Sequence, residues 1–153
     1  MEYSKLIAGL AGEIGLSGLV PDADGACSLS VDGLALALSE KPDTGDLALM
    51  AEVGDVPQDG RDQFFRRLLE EMDDDERTNG AVYSVEPETK KVFLHQTAKL
   101  LLLDVPKLTA MLESFVGVLR RARSFALDFQ ASSPSAESDR QSPVFGTGDF
   151  IQV

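Results

Sequence analysis

Asp32-Gly33 stands between two alternating runs, with Cys27, Leu29 and Val31 before it and Leu34, Leu36 and Leu38 after it. A two-residue loop between such runs closes as a type I′ turn, which needs positive φ at both central residues, and Asp-Gly supplies them. Pro42, Asp43, Thr44 and Gly45 make a second turn, after which Leu47, Leu49, Ala51 and Val53 alternate again. The expectation is a three-stranded antiparallel meander with one strongly apolar face.

Helical spacing frames this meander. Tyr3, Leu6, Ile7, Leu10 and Ile14 share one face of a first helix. Gly9 and Gly12 each cost that helix about 1 kcal/mol relative to Ala, so it depends on packing. A second helix is expected from an Asp59 cap, with Asp62 in its first turn, to Met72. Phe64, Phe65, Leu68, Leu69 and Met72 form its apolar stripe, and the acidic run Asp73 to Glu76 ends it.

Asn79-Gly80 then turns the chain into a second hairpin, with Ala81, Tyr83 and Val85 on one arm and Val92, Phe93 and Leu94 on the other. Pro87 presets the turn between them. Asp104 caps a long helix with Pro106 in its first turn. Its stripe runs through Leu108, Met111, Leu112, Phe115, Leu119, Ala122 and Ala126 to an end near Phe129. The fold class is therefore α+β: a small antiparallel sheet, meander plus hairpin, with three helices in a sandwich.

At 153 residues the chain reads as one domain. Residues 1–130 carry the periodic elements, and the Ser, Pro and charge content of 131–153 predicts a flexible tail. Phe150, Ile151 and Val153 within that tail read either as part of a disordered terminus or as an apolar group that enters a binding groove.

Twenty-six acids against fourteen bases leave a net charge of -12. Residues 1–60 hold eleven acids and only Lys5 and Lys41 as bases, a local net of -9. Nucleic acid and anionic lipid are therefore not expected partners, since phosphate binding depends on Lys and Arg. An acidic field favours encounter with basic partners. The single Cys27 excludes an intrachain disulfide, fits a reducing compartment and sits in an apolar run that predicts burial. No basic n-region precedes an apolar stretch, and the aliphatic run Leu100 to Leu103 is far short of the roughly 20 residues a membrane span needs. The expectation is a soluble, cytoplasmic protein with no membrane insertion.

Catalytic chemistry is not expected. His95 is the only histidine, which excludes metal sites needing two imidazoles, and no nucleophile elbow or glycine-rich phosphate loop is present. The acidic run lacks the alternating spacing and glycine of a calcium loop. The chain is read as non-enzymatic, without cofactor or metal. An enzyme would instead gather a polar, concave cluster around His95.

Taken together, the N-terminal helix, the VDG-turned meander, the FFRRLLEEM helix, the YSVEPETKKVFL hairpin and the DVPKLTAMLESFVGVL helix resemble class I type III secretion chaperones of the CesT/Tir-chaperone family over residues 1 to about 128. The chain departs from the pattern at Lys90, where such chaperones often have glycine, and in the glycines of its first helix. The resemblance implies a chaperone of the bacterial cytoplasm that binds the N-terminal segment of an effector, partly extended, and keeps it soluble and secretion-competent. It also implies a homodimer formed largely through the second helix and neighbouring strands, with Phe64, Phe65, Leu68, Leu69, Met72 and Tyr83 at the interface. Docking on an export ATPase is a further partner it raises and the residues leave open.

The residues support pairing without the family name, because every element carries an apolar face and surplus faces pair with something. Extended partners add a strand to a sheet edge or fill apolar grooves. The candidate groove residues are Leu6, Leu10, Leu34, Leu36, Leu47 and Leu49, each of which taken singly reads more readily as core. The alternative function is a non-secretory adaptor or regulatory domain of similar fold that binds a globular partner.

Overall fold

The computed structural model describes residues 2–132. In chain order they form α1 (Tyr3–Glu13), β1 (Ala26–Val31), β2 (Leu34–Lys41), β3 (Asp46–Asp55), α2 (Arg61–Met72), α3 (Asp75–Thr78), β4 (Val82–Glu86), β5 (Lys91–Lys99), a 3-10 turn (Leu100–Leu102) and α4 (Val105–Ala131). The strands make one antiparallel five-stranded sheet in the order β1-β2-β3-β5-β4. This is the α+β meander-plus-hairpin expected.

The Asp32-Gly33 turn has φ of 51° and 78°, and Val31 pairs directly with Leu34 across it, as a type I′ loop requires. The second hairpin instead places Lys90 at φ 55°, where its N–H donates to the Glu86 carbonyl at 2.8 Å. A side chain therefore occupies the left-handed position that glycine adopts most easily.

One face of the sheet carries the core. Leu36 and Leu38 of β2, Leu47, Leu49, Ala51 and Val53 of β3, and Val92 and Leu94 of β5 are buried beneath α1 and α4. Cys27 is fully buried, as expected, and accepts the Tyr3 hydroxyl at 3.6 Å. Gly54 follows a register shift in β3 and faces the Ala126 methyl of α4, which a Cβ there would meet at an ordinary 3.6 Å. Gly9 is the tight case, since a Cβ there would stand 2.4 Å from Val105 Cγ2. That close crossing accounts for one of the glycines that weaken α1 as an isolated helix.

Helix boundaries differ from expectation in two places. Asp59 does not cap α2: Gly60, at φ 70°, holds the cap position and no side chain bonds there. A Cβ on Gly60 would lie 3.3 Å from the Phe129 ring, so packing against α4 sets this start. The acidic run does more than end α2. Asp74 caps α3 by accepting the Glu76 N–H at 3.1 Å, and Asp75 and Glu76 lie in its first turn, where acids meet the positive end of the helix dipole. Asp104 does cap the long helix, accepting the Lys107 N–H at 2.9 Å.

That helix, α4, continues to Ala131, so the expected boundary at residue 130 falls within its last turn. The rest of the expected tail lies outside the described residues.

Candidate functional site

β2, β3 and β5 are each paired on both sides, so the available backbone lies at the two edges, β1 and β4. In an antiparallel ladder, opposed residues alternate between those bonded to each other and those whose groups point away. The tight loop closes on the bonded pair Val31 and Leu34. Counting back, Leu29 and Cys27 bond to β2, while Ser30, Ser28 and Ala26 turn their N–H and C=O outward. Ala26 fits this register: its carbonyl accepts from Asp22 N–H at 2.8 Å and its N–H donates to the Asp22 carboxylate at 2.9 Å. Ser28 and Ser30 are left as an open edge.

The opposite edge is engaged at its start. Along β4 the outward N–H of Tyr83 donates to Met72 Sδ at 3.1 Å, and Ala81 N–H donates to the Thr78 carbonyl at 3.0 Å. α2 and α3 thus cover the start of this edge, whereas Ser84, Val85 and Glu86 beyond it are exposed.

Beside the open edge lies a groove of about 470 Å³ between the end of α1, the β1–β2 turn and α4. Ile14, Leu16, Val31, Leu112 and Val116 give it an apolar floor, and Asp32, Glu113 and Arg120 stand at its rim. Arg120 Nη2 bridges α4 to the turn by an ion pair with Asp32 at 2.8 Å. An extended chain laid along Ser28 and Ser30 would point alternate side chains toward this groove and toward the outer sheet face, where Ala35, Ala37, Met50 and Phe93 are accessible.

The leucines named from sequence as groove candidates lie in the core or against it. Leu6, Leu10, Leu36, Leu47 and Leu49 are between 0% and 4% exposed, and Leu34 is half-buried against the same core. These side chains project between the sheet and its helices, where a partner does not reach them in the folded chain. Ile14, Leu16, Val116 and Glu113 were missed as groove residues. Their periodicity matches core residues, and only the gap between α1 and α4 sets them apart.

The α2 stripe divides into two sides. Phe64 and Leu68 face inward at 0% and 3% exposure. Phe64 stacks on Phe125 at 5.4 Å and meets Phe129 edge-on at 5.2 Å. Leu69 faces the other way at 63% exposure and, with the half-buried Phe65 that also packs against the core, lines a shallow surface with Asp62, Arg66, Glu70 and Asp73. Met72 and Tyr83 are half-buried. The Tyr83 hydroxyl is buried without a hydrogen-bond partner among the described residues, and burial, followed by the nearby Glu71, raises its pKa.

His95 occupies β5 on the outer face, its Nε2 hydrogen-bonded to the Ser84 hydroxyl, with the Phe93 ring 6.3 Å away. Burial and then Lys41 lower its pKa. The pair lies across two neighbouring strands and not in a concave polar cluster. Among the described residues no group of three or more His, Cys, Asp or Glu could hold a metal, and no helix is long and apolar enough to cross a membrane.

Solved structures share this architecture. A chain of the HopA1–SchA chaperone–effector complex aligns with a TM-score of 0.68 at 20% identity, covering 80% of this chain and 93% of that one. A chain of the ExsC–ExsE complex aligns at 0.64 and 25% identity, covering 88% and 98%. The Yersinia pestis type III secretion chaperone SycH, in complex with a stable fragment of YscM2, aligns at 0.63 and 16% identity, covering 79% and 99%. No curated protein sequence gives a match. The model of the Tir chaperone protein (CesT) family matches residues 5–123, from α1 through most of α4, and the chain belongs to that family.

Proposed function

We propose that this protein is a type III secretion chaperone that binds the N-terminal segment of an effector in the bacterial cytoplasm, keeping it soluble and competent for export. Family membership supports this reading, and one observation carries it: the outward backbone groups of Ser28 and Ser30 lie open beside an apolar groove. Added-strand binding needs that combination, because the edge supplies affinity and the groove selectivity. In this reading residues 1–130 are the chaperone domain, 131–153 an appended segment, and an export ATPase a further partner.

The same reading includes a homodimer through the outer side of α2. Phe65 and Leu69 supply an apolar strip, and Arg66 lies among Asp62, Glu70 and Asp73. In an antiparallel, two-fold pairing of α2 with its copy, each Arg66 faces the other copy's acids, as a self-complementary interface requires. Met72 and Tyr83 border that strip; Phe64 and Leu68 do not.

The test combines affinity purification from the native host with limited proteolysis and hydrogen exchange. The expected result is a partner protected over an N-terminal segment of about 50–100 residues, with exchange slowed at Ser28 and Ser30. Ser28→Pro should abolish capture while keeping the fold, since proline is tolerated where an edge N–H faces solvent. A folded partner bound with no change at β1 would favour the adaptor reading.

A further inference from the structure

The groove has a charge requirement that its apolar floor does not reveal. Of its three charged rim residues, Asp32 and Arg120 already pair with each other. Glu113 lines the rim two helical turns before Arg120 on α4 and makes no ion pair or side-chain hydrogen bond among the described residues. The rim therefore offers one uncompensated carboxylate, and the cation that shares the groove lining, Arg120, is engaged by Asp32. The surrounding N-terminal part of the chain adds negative field, with a net of -9 over residues 1–60.

The geometry points to a specificity rule for the bound segment: a bulky apolar side chain that fills the floor on Leu112 and Val116, followed closely by a Lys or Arg that pairs with Glu113. This rests on the client-binding reading and names the partner's chemistry at that site. Glu113 lies on the face of α4 that looks onto the groove, so a cation reaches it from the side chain two positions along the strand from the one that enters the floor. An acidic residue at that place would meet Glu113 and the negative half of the chain together. Arg120 does not reverse the preference while it remains bridged to Asp32, and its release would leave Asp32 as a second carboxylate facing the client.

The probe is a phage-displayed library of random dodecapeptides panned against the full-length protein. Enriched peptides should carry a large apolar residue with Lys or Arg two positions away, on the same face of the added strand. Synthetic copies should bind Glu113→Gln about two- to fivefold more weakly than wild type, the range of an exposed ion pair, and the difference should shrink in high salt. Enriched peptides that lack the basic residue, or that bind Glu113→Gln as well as wild type, overturn the rule. If those peptides still lose binding to Ser28→Pro, the client-binding reading stands without it. No enrichment over a control surface overturns both.

Discussion

Gly9 and Gly12 lie one turn apart on α1, and the structure assigns their substitution by alanine opposite signs. Each change removes about 1 kcal/mol of helix penalty. At Gly12 nothing lies within 4 Å of a new Cβ, so Gly12→Ala should stabilise by about that amount. At Gly9 the methyl would stand 2.4 Å from Val105 Cγ2, more than 1 Å inside ordinary contact. Separating them means moving α1 from the start of α4 or forcing Val105 off its rotamer, at a cost of about 1–3 kcal/mol. The net for Gly9→Ala is a loss of up to about 2 kcal/mol, or roughly 2–4 °C of melting temperature per kcal/mol for a chain this size.

Urea unfolding followed by circular dichroism measures both variants, and Val105→Ala closes the test. In the Gly9→Ala background Val105→Ala should recover stability, giving a coupling of about 0.5–3 kcal/mol between the two sites. If Gly9→Ala stabilises as much as Gly12→Ala, with no coupling to Val105, the close α1–α4 crossing is refuted. The groove bounded by Ile14 and Leu112 would then lose its geometric basis.

Leu69→Asp should give a folded monomer by sedimentation, whereas Leu68→Asp should lose helicity outright, because Leu68 is 3% exposed and a carboxylate there is buried unpaired. A dimer that survives Leu69→Asp would move the interface off α2. Lys90→Gly should raise the unfolding midpoint by up to about 1 kcal/mol, since Lys90 holds a left-handed φ that costs an L-residue about 1–2 kcal/mol and glycine offsets part of that by its entropy; an unchanged midpoint would mean the turn relaxes without strain. Asp104 accepts the Lys107 N–H, and that bond, more than the Lys107 ammonium, holds its carboxyl below the usual range. Its contribution is therefore complete above the unfolded value of about 3.9 and is lost as pH falls through the lower folded value. The stability gap between wild type and Asp104→Ala should close over that acid window, and a gap that persists at the acid end would exclude the cap as its source.

Local order was legible in the chain because its causes are local. Asp32-Gly33 reads as a type I′ turn since both residues accept positive φ, and Val31 and Leu34 duly face each other across it. Asp104 reads as a cap because its side chain reaches an N–H three residues on. Alternation in β1, β2 and β3 reported the sheet's apolar face for the same reason, as side chains two apart share a side.

What the tertiary structure alone decided is which apolar residues are seen by a partner. Leu68 and Leu69 are equally hydrophobic, yet only Leu68 turns toward α4, because the Phe64–Phe125–Phe129 cluster fixes the roll of α2. The leucines Leu6, Leu10, Leu36, Leu47 and Leu49 are consumed as core because α1 and α4 lie over them. The strand order is equally non-local: β5 pairs with β3 and leaves β4 at one edge, where Met72 meets Tyr83 N–H, and β1 at the other, where Ser28 and Ser30 remain open. A periodic pattern records which residues share a face. Whether that face is covered depends on elements far away in the chain, and only their packing supplies the answer.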